Sequence, residues 1–161
     1  LSQRKNCVLR ADKKLQAEIA SIHPGECRLA LPLTFMNHSG LPAKAISQFY
    51  RIQPEEILVV HDELDLAPGR IKLKTGGGHG GHNGLRDIAT QLQSTAFHRL
   101  RIGIGHPGSA PLVANFVLKR APQSEQELID DAIYRSTKAL PDAAKGDWNT
   151  AMKNLHTEPK K

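Results

Sequence analysis

Between Thr75 and Gly84 the chain reads Thr75-Gly76-Gly77-Gly78-His79-Gly80-Gly81-His82-Asn83-Gly84, so six of its 13 glycines fall within ten residues. Glycine gives up the most backbone entropy on ordering and reaches positive φ freely, so this stretch is a loop rather than a helix or strand interior. Its flanks are regular. Arg70-Ile71-Lys72-Leu73-Lys74 alternates strictly, which puts three cations on one face of a strand and two aliphatics on the other. Leu85, Ile88, Ala89 and Leu92 then recur at helical spacing. A strand, a glycine loop and a helix in succession constrain the chain to an α/β organisation. Such a loop can let a ligand approach the main chain, and a helix start behind it aims N–H groups at an anion. No Gly-Lys-Ser/Thr follows, which excludes a P-loop, and no acid closes a following strand at the spacing of a dinucleotide fingerprint.

The remaining elements fit the same class. Residues 14–22 and 27–31 read as two strands of a hairpin around His23-Pro24-Gly25-Glu26. A loop from Pro32 to Gly40 leads into an amphipathic helix over residues 41–52, with Ser39 as its cap and Pro42 in its first turn. The continuous apolar run at residues 57–61 predicts a central strand covered on both faces. Residues 98–105 alternate again, with Arg99 and Arg101 on one face. Residues 112–118 form a short apolar element of ambiguous type. Ser124-Glu125-Gln126-Glu127 is a capping box opening a helix to about Leu140, and Asp147 caps a last helix through Trp148, Met152 and Leu155. The 161 residues contain no repeat and no linker long enough to divide them. The expectation is a single α/β domain over residues 1–161, with one mixed, largely parallel, twisted sheet flanked by helices.

Charge is unevenly placed. Arg70, Lys72, Lys74, Arg86, Arg99 and Arg101 face a single acid, Asp87, between residues 70 and 101. Residues 52–69 hold Glu55, Glu56, Asp62, Glu63 and Asp65 and neither Lys nor Arg. The basic segment supplies most of the formal net charge of +6, and such clustering suits a polyanion, phosphate backbone first. The competing reading is solvated charge on strand and helix surfaces. Four Phe, two Tyr and one Trp are too few for a reader that stacks many bases, so shape and phosphate recognition fit better. No run reaches the roughly 20 apolar residues of a membrane span. The first residues, Leu1-Ser2-Gln3-Arg4-Lys5-Asn6, lack both the apolar stretch of a secretory signal and an initiator Met. Cys7 and Cys27, in a chain with no export signal, read as reduced, semi-buried thiols of a cytoplasmic protein.

Several polar residues are placed for chemistry. Asn37 lies in a loop directly before a helix; if Ser39 caps that helix, the Asn37 amide is left to face a ligand. Asp62 follows an apolar strand at its C-terminal end, where α/β sheets place their sites, although a turn-forming role is the plain alternative. His79 and His82 lie three residues apart, with His61, Asp62 and His106 as further candidates for a metal, but spacing within a glycine loop does not fix their direction.

These residues together resemble the bacterial peptidyl-tRNA hydrolase family. Thr34-Phe35-Met36-Asn37-His38-Ser39-Gly40, Val60-His61-Asp62-Glu63-Leu64-Asp65, the run from Gly76 to Ile88, and Phe97-His98-Arg99-Leu100-Arg101-Ile102-Gly103-Ile104-Gly105 occur in the family's order and spacing. The resemblance implies an α/β fold and a monomeric, metal-independent, cofactor-free cytoplasmic esterase that frees tRNA from peptidyl-tRNA. Asn37 resembles the active-site Asn that holds the peptidyl group and polarises the ester carbonyl. Asp62 resembles the carboxylate that orients a catalytic imidazole, Asn83 the second active-site Asn, and His82 a neighbouring histidine. Phe35 and Met36 resemble the apolar wall beside the peptide, and Lys74 and Arg101 the clamp on the tRNA phosphate. The family pattern also opens with a strand, a Gly-Asn-Pro-Gly loop and a Thr-Arg-His-Asn stretch that carries the general-base His. None of these occurs in this sequence, so the expectation is an N-terminally incomplete chain whose base lies outside it. The readings carried forward are an esterase, a catalytically silent tRNA- or RNA-binding module of the same fold, and, more distantly, a metal hydrolase using His61, Asp62, His79 and His82.

Overall fold

The computed structural model describes residues 7–22 and 27–156. The elements run β1 (Arg10–Asp12), β2 (Ala17–Ile22), β3 (Cys27–Pro32), α1 (Gly40–Tyr50), β4 (Leu58–Glu63), β5 (Ile71–Thr75), α2 (Asn83–Leu92), β6 (His98–Gly103), α3 (Val113–Leu118), α4 (Gln123–Ala144) and α5 (Trp148–His156). The α/β expectation holds, but the strands divide into two three-stranded sheets, ordered β1-β2-β3 and β4-β6-β5. Backbone contacts group the chain into two compact units. Residues 1–57 and 76–98 form the first, and residues 58–75 and 99–161 the second.

In the first unit, β2 pairs antiparallel with β3 from Ala17↔Pro32 to Ile22↔Cys27, as the hairpin predicts; its turn lies outside the described residues. The first strand of that hairpin starts later than expected because residues 13–16 turn, with Gln16 at φ 54° and Asp12 Oδ1 accepting from Leu15 N at 3.1 Å. That turn folds β1 onto β2 with Arg10 opposite Ile19. Three residues are too few to show a period, so sequence reading misses β1. Leu15, Ala17, Ala20 and Ile22 are buried here, as are Leu85, Ile88 and Phe97.

In the second unit the central strand is β6, not β4. Residues flanking β4 and β6 bond in the same direction, His98 N to Ile57 O at 2.9 Å and Ile104 N to Glu63 O at 3.0 Å, so that pair is parallel. Gly103 N to Arg70 O and Gly76 N to Phe97 O run in opposite senses, so β5 and β6 are antiparallel. Strand β4 lies at the edge of this sheet and leaves Val60 53% exposed, whereas Leu100 on β6 is 1% exposed. Ile71 and Leu73 of β5 and Leu100 of β6 pack into a core with Ala132, Ala139 and Ala143 of α4 and Ala151 and Leu155 of α5. The small residues of α4 recur at helical spacing and present one narrow apolar face.

Helix termini account for most of the remaining differences. Helix α4 starts at Gln123 with Pro122 as its cap and no side-chain bond, so Ser124 and Glu127 form no capping box. It continues through Pro141 to Ala144, past the expected end near Leu140. Asp147 does cap α5: its Oδ1 accepts from Thr150 N at 3.2 Å, and hydrogen bonding from the Thr150 side chain and then its main chain holds the carboxyl below the ordinary value. At the other end of α5, His156 Nε2 accepts from Leu73 N at 3.0 Å and so covers an outward donor of the edge strand β5. The residues described as 112–118 become a 3-10 turn (Ala110–Leu112) followed by α3. No helix is long and apolar enough to cross a membrane among the described residues.

Candidate active site

The first unit presents two amides on adjoining segments. A 3-10 turn, Met36–His38, precedes α1 and carries Asn37, which is exposed. Helix α2 begins at Asn83, which is also exposed. The two segments meet at Met36 and Gly84, where a Cβ added to the glycine would lie 2.7 Å from Met36 Sδ. A side chain at position 84 would have to displace the Met36 thioether and crowd the His82 ring. Beside Asn37, a groove of about 420 Å³ is lined by Gln16, Leu33, Thr34, Phe35, His38 and Leu41. Phe35 is 83% exposed and Met36 58%, a large unburied apolar surface next to a polar amide.

The route by which Asn37 is left available differs from the sequence expectation. Ser39 has helical φ and ψ and makes no cap; its hydroxyl donates back to Met36 O at 2.7 Å. The first N–H of α1, on Gly40, instead donates to Asp87 Oδ2 at 2.7 Å, a partner 47 residues away. Sequence reading misses Asp87 because no local pattern links an acid inside one helix to the start of another.

His82 is the cap of α2. Its Nδ1 accepts from Leu85 N at 3.2 Å, which assigns the proton of the neutral ring to Nε2. In that tautomer His82 offers a donor, and its lone pair is committed to the backbone. His79 Nδ1 likewise accepts from Gly81 N at 3.0 Å. Among the described residues no three His, Cys, Asp or Glu side chains gather as a metal site. Gly76, Gly77, Gly80 and Gly81 all take positive φ, so the loop has the backbone that its composition predicts.

The second unit carries Asp62, Lys74 and Arg101. Asp62 is the last but one residue of β4, at the strand's C-terminal end as expected, and is partly buried. Its carbonyl lies 2.7 Å from Nδ1 of the buried His61. On β5, Ile71 and Leu73 are buried while Lys72 and Lys74 are exposed, so the predicted cationic face forms. On β6 the arginines are not a solvated face. Arg99 is 3% exposed, and burial, with Arg101 beside it, pulls its guanidinium below the ordinary value. Arg101 Nε donates to Glu63 Oε1 at 2.9 Å, and its side chain is 21% exposed. His98, buried at the start of β6, bonds through Nε2 to Glu55 O at 2.9 Å, and burial lowers its pKa. Cys7 and Cys27 are half-buried, as expected, and burial pushes the Cys27 thiol up.

The first unit by itself can hold and polarise a carbonyl through neutral amides and pack an apolar chain against Phe35 and Met36; the second can meet an anion at Lys74. Comparison with known proteins narrows the chemistry. Residues 1–161 match the family described as peptidyl-tRNA hydrolase. A peptidyl-tRNA hydrolase of Legionella pneumophila (strain Paris) is 58% identical over 160 residues, spanning 97% of this chain and 84% of the relative. One from Pseudomonas fluorescens Pf-5 is 55% identical over 161 residues, 98% of this chain and 83% of that one. The crystal structure of the Acinetobacter baumannii peptidyl-tRNA hydrolase superposes with a TM-score of 0.93 at 45% identity, covering 97% of this chain and 80% of that one.

Proposed function

Because this chain belongs to the peptidyl-tRNA hydrolase family, we propose how its residues divide the work of hydrolysing the ester between peptide and tRNA. The Asn37 and Asn83 amides donate to the ester carbonyl oxygen, where negative charge develops when water attacks. A neutral amide suits that position because it can donate there and still accept from the peptide. Phe35 and Met36 shelter the peptidyl side. Asp62 orients the imidazole of the family's Thr-Arg-His-Asn stretch, which these 161 residues do not include, so that it can take the proton from water, as a carboxylate on the far ring nitrogen does. His82 fits the role of base poorly, since its acceptor nitrogen already caps α2; its Nε2–H is suited to donating. Lys74 meets a tRNA phosphate, and Arg101 adds to it with the donors that Glu63 does not occupy. The reading invokes no metal or cofactor and takes the protein as a cytoplasmic monomer.

The observation that carries this assignment is the pair of exposed amides on either side of the Met36–Gly84 approach, with an apolar groove beside one of them. The experiment is hydrolysis of an N-acetyl-aminoacyl-tRNA by the 161-residue chain, followed as release of free tRNA. Release supports the assignment. Tight tRNA binding by a folded chain with no release leaves these residues an RNA-binding module on their own and assigns the base imidazole to residues outside them.

A further inference from the structure

Helix α1 has no acidic residue in its first turn, and the serine before it does not cap it. Its first orphan donor is satisfied by Asp87, a carboxylate from the second turn of α2. A carboxylate there both fills an unpaired N–H and sits at the positive end of the helix dipole. Two close approaches lie on either side of the Asn37 turn. A Cβ on Gly40 would lie 2.3 Å from the Asp87 carbonyl oxygen, and one on Gly84 would lie 2.7 Å from Met36 Sδ. Met36 and Gly40 are therefore both held against α2, and Asn37 is carried between them.

We propose that Asp87 is a positioning residue for the ester chemistry: its carboxylate clamps Gly40 so that the turn carrying Asn37 stays in register with the helix start carrying Asn83. The inference rests on the reading of those two amides as ester-facing. Asp87 acts through Gly40 and touches no substrate. The clamp needs an acceptor of the right length. Asp87→Ala removes it, Asp87→Asn keeps an oxygen at the same reach without the charge, and Asp87→Glu moves the carboxylate by one methylene.

The test combines steady-state hydrolysis of N-acetyl-aminoacyl-tRNA with hydrogen exchange at the Gly40 amide, in the full chain. Asp87→Ala is expected to lower kcat at least tenfold with KM within about twofold, and to speed Gly40 exchange at least tenfold. Asp87→Asn recovers most of both, and Asp87→Glu recovers less. A loss of rate that follows only the amount of folded protein, with kcat per folded molecule unchanged, overturns the proposal, as does unchanged Gly40 exchange. If Asp87→Ala does not fold, Asp87→Glu carries the same two readouts. Failure of the underlying reading shows separately, as an Asn37→Ala variant with undiminished kcat.

Discussion

The two units place their functional side chains by different means. In the second, Lys72 and Lys74 point outward because β5 alternates, and Ile71 and Leu73 anchor that alternation in the core. Position along the strand settles direction, so neighbours in sequence are enough. In the first, Asn37 and Asn83 sit on a turn and a helix end, where no period fixes direction. Their placement depends on contacts between distant residues: the Asp87–Gly40 bond and the approach of Met36 to Gly84. The difference teaches that cations here are set by local pattern and amides by tertiary tethers. The amide segments should therefore be the easier to disable from a distance.

The largest effects should come from the groups assigned to the ester. In a chain that also carries the family's Thr-Arg-His-Asn stretch, Asn37→Ala and Asp62→Asn are each expected to lower the rate of ester hydrolysis by about 10²–10³ with folding intact, read as kcat by free-tRNA release. Next comes the tether itself. Gly40→Ala forces a methyl against main chain of α2, and is expected to cost about 1–3 kcal/mol in urea denaturation and to weaken hydrolysis with it. A fully stable Gly40→Ala variant would remove the contrast between tethered and patterned placement.

Lys74→Ala should weaken tRNA binding and reduce the slope of log K against log salt by about one. Arg101→Ala should change that slope less, because Glu63 already neutralises much of the guanidinium. Equal slopes for the two variants would show that Arg101 leaves Glu63 when RNA binds.

Both units also contain a histidine whose pKa is lowered by burial, His98 in the first and His156 in the second; Lys72 adds to the effect at His156. Each ring is neutral in the folded chain above its ordinary value of about 6.5. As pH falls through that value the unfolded chain takes up protons first, so stability is lost until the pH passes below the folded-state values. The melting temperature should be level from pH 7 to 8 and decline below about pH 6.5. The protection factor of the Leu73 amide, its exchange corrected for the intrinsic pH dependence, should fall as His156 protonates, since the charged ring can no longer accept. His156→Gln should remove that pH dependence at Leu73.

The smallest expected effect lies at helix ends. Arg51 and Gln93 close α1 and α2 with φ of 55° and 53°, where glycine is unstrained. Arg51→Gly and Gln93→Gly should each stabilise by up to about 1 kcal/mol in thermal unfolding, the left-handed penalty of roughly 1–2 kcal/mol less the entropy glycine gives up.

Much of this was legible in the sequence, and the pattern of what was not follows the same contrast. The hairpin strands, the cationic face of β5, the glycine loop and the Asp147 cap all rest on neighbours within a few residues. Sequence places the central strand at β4 because its apolar run outweighs the arginines of β6. Yet β6 is central, and Arg101 is accommodated by Glu63, 38 residues earlier in the sequence. Ser39 was the expected cap because it is the nearest residue of the right type, whereas Asp87 is the cap in fact. The site residues are legible only through their resemblance to a family motif. The groups that hold them, Asp87, Gly40 and Gly84, emerge only from tertiary contacts.

The measurement that tests the division most directly compares two substrates, N-acetyl-aminoacyl-tRNA and the same acyl group esterified to adenosine alone. Lys74→Ala should lower kcat/KM for the tRNA ester and leave the adenosine ester unchanged, while Asn37→Ala lowers both by the same factor. A Lys74→Ala variant that loses both substrates equally, or an Asn37→Ala variant that loses only the tRNA ester, would contradict the account.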